Sequence, residues 1–394
     1  MEKSRELALE LIRRFQKGEF TDAQIRAFMR KPDRYLTGFV DATETLIGKT
    51  NHRNEDSPLL FDGTDVTYIS QAAGGDCIRW GNRKMPQFAK MHSQLIWADG
   101  KPLAIGEDAD GTLHIARGTE IVADVDKSFT IVDGSLGFAD GRPFFVRQHL
   151  EHERRTGFWG SEDVVNNLSP FEGACFRIVD GKPLAVQCWS DGVRAVYGTQ
   201  CSTDYASIGD LSVLDGKMLF YAPDNNASHQ ELVIFGDRAY RGMKTIHKLS
   251  YWRDRPLALA TRIGDPDTCR DLMWEDQSLA YFDDASDFWV VDDAPFVAYQ
   301  WKKTPMLWNN TDHPMRLRYR PDEFSDLAFI DGRSWYGVYS PNGEGRTVYV
   351  WGMQRTKSFD VVSDPIIRDK EIIFAGLRGR KIYRVSIPRE SATT

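Results

Sequence analysis

A chain of 394 residues, 41% hydrophobic and 27% charged, has the material for a large core and is too apolar to belong with disordered proteins. Its formal net charge is −7; residues 1–50 carry 10 Lys and Arg against 8 Asp and Glu, which leaves 40 against 49 for the rest and excludes a general nucleic-acid binder. No run reaches the roughly 18 apolar residues of a membrane span, and MEKSRELALELIRRF lacks a signal-peptide core, so a cytoplasmic protein without membrane association is expected.

The N-terminal stretch reads as helical. Leu7, Leu11 and Phe15 fall on one face of residues 4–16, and Lys17-Gly18 ends that run. Thr21 and Gln24 have capping-box spacing before Ile25, Phe28 and Met29, with Pro32 as the stop, and a weaker helical pattern covers Tyr35 to Ile47. The spacing predicts a helical segment over 1–49, and the polar TNHRNEDSP over 50–58 reads as a linker.

From Leu59 the pattern changes to short apolar runs joined by turns, repeating about every 38 residues. Runs such as LIWA, FRIV and LSVL precede a turn; PLAI, PFFV, PLAV and PLAL follow it. The turn is Asp-Gly at Asp62-Gly63, Asp99-Gly100, Asp140-Gly141, Asp180-Gly181, Asp215-Gly216 and Asp331-Gly332. That dipeptide suits a two-residue type I′ hairpin, whose central residues both need positive φ. Arg253-Asp254, Asp292-Asp293 and Asp369-Lys370 occupy equivalent positions, so those hairpins should be longer or strained. Some 18 to 22 residues after most turns, an apolar run closes on glycine, at Gly81, Gly118, Gly160, Gly198, Gly236 and Gly352, while the unit near Trp274 carries Glu275 instead.

Post-turn strands are apolar at nearly every position and therefore buried on both faces. Meanders of this kind need neighbours above and below, and radial stacking into a closed ring supplies them. The expected fold is all-β: a β-propeller over 59–388, eight blades preferred within a range of seven to nine, preceded by the helical segment and followed by a tail at 389–394. The truncated ninth unit suggests that C-terminal strands complete a blade begun near the N-terminus.

DGKPLA hairpins, aromatic-Gly endings such as VYG, and the Leu-Ser lead into the next unit at Leu168-Ser169, Leu211-Ser212 and Leu249-Ser250 resemble the repeats of WD40-like and TolB-like bacterial propellers. They are more similar still to repeat arrays in uncharacterised bacterial proteins that join a short helical N-terminus to such units. The resemblance covers about residues 57–388, and it implies a rigid toroid serving as a non-catalytic platform. The repeated Trp-Asp and Gly-His signatures of WD40 units are lacking, so WD40 partner surfaces do not carry over.

The recurrent Asp residues invite a Ca²⁺ reading, but their fixed place before glycine marks turns. His149 and His152 in HLEHERR, beside Glu151 and Glu153, form a weak candidate metal pair without the HExxH order of zinc proteases. Five cysteines without a CxxC pair read as reduced thiols. The sequons at Asn167, Asn226 and Asn309 would matter only in a secreted chain. The divergent unit 292–330 concentrates Trp301, Lys302, Trp308, His313, Arg316 and Arg318, a candidate partner-binding surface. The expected function is a protein-interaction scaffold with a protein partner and no cofactor, and the sequence leaves the oligomeric state open. The alternative is a carbohydrate-active or other hydrolytic propeller with acids in its central channel.

Overall fold

The structure, a computed structural model, describes residues 40, 42–50, 58–72, 74–170, 176–189, 192–227, 229–302, 304–309, 314–317, 327–330, 333–339, 346–351 and 354–389. The two helices expected over residues 4–32 lie outside this set.

From Leu60 to Pro388 the chain forms antiparallel meanders, each built around one of the hairpins read from the sequence. Unit 2 shows the plan: Lys90–Ala98, Lys101–Glu107, Leu113–Arg117 and Glu120–Val125 pair in chain order. The second strands of units 1 to 9 are Val66–Ala72, Lys101–Glu107, Arg142–His149, Lys182–Trp189, Lys217–Pro223, Arg255–Arg262, Ala294–Trp301, Arg333–Tyr339 and Glu371–Arg378. Hydrogen bonding joins them into eight sheets, because units 5 and 6 share the 15-residue strand Arg238–Trp252 within one seven-stranded sheet. Counted by hairpins, the described residues hold nine units, inside the expected range.

Nine apolar clusters hold these units together, each combining side chains from two successive units. One of them joins Leu59, Phe61 and Val66 of unit 1 to Ile373, Ala375 and Ile382 of unit 9, so the series has no free end and the fold is a closed β-propeller. The Pro-Leu-Ala repeat explains the stacking. Leu103 and Ile105 point into the cluster with unit 3, while Ala104 faces unit 1. Likewise Leu257 and Leu259 pack on unit 7, and Ala258 and Ala260 on unit 5. A strand with period-two side chains thus feeds two cores, a bulky one ahead and a close-packed one behind.

First strands of neighbouring units approach one another, as Leu60–Phe61 does Lys90–Ala98, which sets them toward the axis. Fourth strands such as Glu120–Val125 and Gln277–Asp283 are largely exposed and form the outer rim.

The fourth strand of unit 9 comes from the other end of the chain. Thr43–Lys49 pairs antiparallel with Lys381–Pro388, from Thr43↔Ser386 to Lys49↔Lys381. Arg378 donates to both Glu44 carboxylate oxygens at 3.1 and 3.3 Å. Closure by the two ends is as expected, but the helical reading of residues 43–47 is overturned, and the ring begins at Thr43 rather than residue 59. Thr43, Thr45 and Ile47 are β-branched at alternate positions, and the partner that rewards an extended chain lies more than 330 residues away.

Four Asp-Gly turns are two-residue hairpins with both residues left-handed: Asp99 and Gly100 at φ 46° and 71°, with Asp140-Gly141, Asp180-Gly181 and Asp215-Gly216 alike. Asp331 and Gly332 lie outside the described residues. Asp62-Gly63 departs from the expectation, because the Asp62 carboxylate accepts the backbone N–H groups of Thr64 (2.8 Å) and Asp65 (2.6 Å) and opens the loop to four residues, Phe61 pairing with Val66. Of the three non-glycine turns, Arg253-Asp254 and Asp292-Asp293 stay at two residues with φ between 48° and 56°, hence strained, whereas Ile367 pairs with Ile372 around a longer loop at Asp369-Lys370.

Candidate functional site

Meander order gives the ring two unlike faces. Turns between first and second and between third and fourth strands lie on one face; loops between second and third strands lie on the other.

The turn face is occupied by its own architecture. The closing glycines among the described residues, Gly81, Gly118, Gly160, Gly198 and Gly236, sit in the third-to-fourth turn at positive φ, and their N–H groups donate to the second strand: Gly118 to the Pro102 carbonyl at 2.8 Å, Gly160 to Pro143 at 2.9 Å and Gly198 to Pro183 at 2.8 Å; Gly352 lies outside the described residues. In units 3, 4 and 5 the cation after Asp-Gly lies over the aromatic that precedes the closing glycine: Arg142 over Trp159 at 4.0 Å, Lys182 over Tyr197 at 5.2 Å and Lys217 over Phe235 at 5.5 Å. Trp159, Trp274 and Trp351 donate their indole N–H to the carbonyls of Ala139, Trp252 and Ile330. Asp99 pairs with Arg117 and Asp293 with Arg253, each at 3.3 Å. In units 3, 4 and 5 the Asp, Gly, cation and aromatic residues together lock the hairpins. A cavity of about 1090 Å³ does open on this face between units 4 and 6, lined by Cys201, Tyr205, Lys217, Phe220, Arg238 and Asp254.

The loop face is different. Large apolar side chains stand exposed at the end of the second strand or one residue beyond it: Leu150 in unit 3 (61% exposed), Trp189 in unit 4 (46%), Ile263 in unit 6 (51%), Trp301 in unit 7 (55%) and Tyr339 in unit 8 (64%). Unit 5 places Pro223 and the buried Asp224 there, and units 2 and 9 place Glu107 and Arg378. Five units of the sector from 3 to 8 therefore present an oily residue at an equivalent strand end. Sequence reading singled out Trp301 alone of these, although the signal was present: each is an apolar residue at the end of a regular post-turn strand.

The candidate cluster of unit 7 is divided by its own hairpin. Trp301 pairs with Thr304 on the loop face, and Lys302 beside it, at φ 49°, sets its Nζ 5.6 Å from the Trp301 ring. Trp308 pairs with Val297 at the opposite end of the unit and packs edge-on against Phe282 of unit 6 at 5.5 Å. It is half-buried against that core, and the reversal of direction between the two strands places it at the other end of the unit from Trp301. Arg316 lies in the short strand Met315–Arg316; His313 and Arg318 lie outside the described residues.

Loop-face polar groups form two further clusters. His149 and His152 stack at 4.8 Å with Glu151 between them. In unit 2, His114 lies on the Phe88 ring with Asp108 Oδ2 2.9 Å from Nε2 and Asp124 Oδ1 2.6 Å from Nδ1. Burial of this imidazole opposes its charge, but hydrogen bonds to Asp124 and Asp108 outweigh it and hold the pKa above the ordinary histidine value.

A hydrolytic channel would call for acids free to act. Among the described residues the two buried acids are engaged: Asp224 accepts from Arg241 at 2.9 Å, and Asp271 lies 2.9 Å from the Ser278 hydroxyl and 3.6 Å from Arg262. Cys77, Cys188, Cys201 and Cys269 are free thiols, and no described helix is long and apolar enough to cross a membrane.

The closed ring with its locked turn face defines a protein of the β-propeller class. No family model matches the chain, and no curated protein does. Among solved structures it is similar to BamB from Moraxella catarrhalis (10% identity, 88% of this chain and 100% of that one, TM-score 0.38) and to the dihydro-heme d1 dehydrogenase NirN (12%, 80% and 77%, 0.42). The β-propeller domain of the Trilobed protease from Pyrococcus furiosus is a third (9%, 84% and 92%, 0.36). These likenesses concern the fold.

Proposed function

We propose that the protein is a non-catalytic interaction platform of a reducing, cytoplasmic compartment, and that its partner is a protein engaged by the loop face of units 3 to 8. The observation that carries this reading is the exposed series Leu150, Trp189, Ile263, Trp301 and Tyr339. Exposed Trp and Tyr held at strand ends lose little side-chain entropy on binding and are the residue types that dominate interface energetics. The scaffold beneath them is stiff, since each strand end is anchored between two apolar clusters, and free thiols are consistent with the proposed compartment.

The test is site-specific photocrosslinking in the native host. A crosslinking residue at Trp189, Trp301 or Tyr339 is expected to give the same discrete adduct, absent when it replaces Asp99 or Asp140 on the turn face. Equal labelling from both faces, or none from the loop face, would sink the proposal.

A further inference from the structure

We infer that the loop His149-Leu150-Glu151-His152 is a binding site for a borderline transition-metal dication of the zinc class. The ligand atoms of His149, Glu151 and His152 all lie within 4.8 Å of one another. Two ligands of a tetrahedral zinc ion with Zn–N of about 2.0–2.1 Å stand about 3.4 Å apart. The set therefore has to close by roughly 1.4 Å. That is within the reach of side-chain rotation, because the Glu151 and His152 side chains are 78% and 65% exposed.

The loop is shaped before any ion arrives. His149 N donates to the Arg154 carbonyl at 2.9 Å, Glu153 N to the His149 carbonyl at 3.0 Å, and Leu150 N to the Ser128 carbonyl at 2.9 Å, while Glu153 takes φ 53°. His149 packs edge-on against Phe129 at 5.1 Å, so one ligand stands on a rigid strand and the other two swing toward it. In the free protein His149 Nδ1 accepts the Glu151 N–H at 3.1 Å. Coordination through Nδ1 releases only that exposed donor to water, a small cost. Of the nearby cations, Arg147 pairs with Asp163 at 2.6 Å and Arg155 donates to the Gln148 side-chain amide oxygen at 3.0 Å.

Two imidazoles and one carboxylate select zinc-class ions over Mg²⁺ and Ca²⁺, which prefer all-oxygen shells. Three protein ligands leave a fourth position for water or a further ligand.

Isothermal titration of the full chain with zinc chloride in a non-coordinating buffer tests the site. One zinc per chain is expected, with affinity at least about tenfold weaker in His152→Ala and in Glu151→Gln, unchanged in His229→Ala, and no heat from magnesium chloride. Both substitutions change well-exposed side chains and leave the fold intact. Absence of zinc binding, or equal binding in wild type and His152→Ala, would overturn the inference.

Discussion

Arg255 donates to the Glu275 carboxylate at 2.7 Å, and that pair replaces the glycine-under-cation contact of four other hairpins. Where Gly118, Gly160, Gly198 and Gly236 sit under the side chains of Lys101, Arg142, Lys182 and Lys217, Glu275 sits at φ 55° and reaches the cation through its charge. Tyr240 adds a second hydrogen bond to the same carboxylate at 3.0 Å.

Glu275→Ala keeps the left-handed backbone without the pair, whereas Glu275→Gly relieves the backbone while losing the same pair. The alanine variant should therefore be less stable than the glycine variant by about 1 kcal/mol, read as the midpoint difference in urea unfolding. Equal stability would mean that Glu275 carries no backbone strain.

Ring closure can be tested by comparing chains that begin at residue 40 and at residue 58. The shorter one lacks Thr43–Lys49 and exposes the edge of Lys381–Pro388, so it should melt several degrees lower and self-associate in light scattering. Burial opposes ionisation of Glu44, but Arg378 and Lys357 hold its carboxyl below the usual range. This contribution is present above the unfolded glutamate pKa and fades as pH falls through the folded value, so the stability gap between wild type and Glu44→Gln should narrow in acid.

His114 has the opposite sign. Its folded pKa is raised, so the clamp contributes fully below the unfolded histidine pKa and is lost as pH rises through the folded value. The stability advantage of wild type over His114→Asn should be largest near pH 6 and shrink in alkali, measured by urea unfolding across the range. A constant difference would show that the imidazole is held neutral.

The second strand of unit 6, Arg255–Arg262, predicts an asymmetry. Leu257→Ala, at a fully buried position between units 6 and 7, should cost about 2–5 kcal/mol through the cavity it leaves. Ala258→Leu, one residue on and facing unit 5, should cost about 1–3 kcal/mol by overpacking. Chemical unfolding of both variants checks the pair.

Much of this architecture was legible because it is local. Asp99-Gly100 declares a type I′ turn within two residues, and Leu103-Ala104-Ile105 declares a strand buried on both sides. What escaped depended on distance or direction. Thr43–Lys49 is a strand only because Lys381–Pro388 is there to pair with it. Trp301 and Trp308 are seven residues apart, yet a hairpin sends them to opposite ends of the unit. The loop-face series was readable in principle, but chain order alone does not say which strand ends share a face.

The continuous strand Arg238–Trp252 has a mechanical consequence. It is the rim of one unit and the axial strand of the next, with irregular pairing near Thr245 and Lys248 where it crosses over. At the other described joints, such as Phe88 to Lys90, the backbone leaves one sheet before entering its neighbour. Between Gly209 and Asp283 units 5 and 6, two of the nine, share a spine, and this stretch is expected to resist sliding of one sheet past the next more than the remaining joints do.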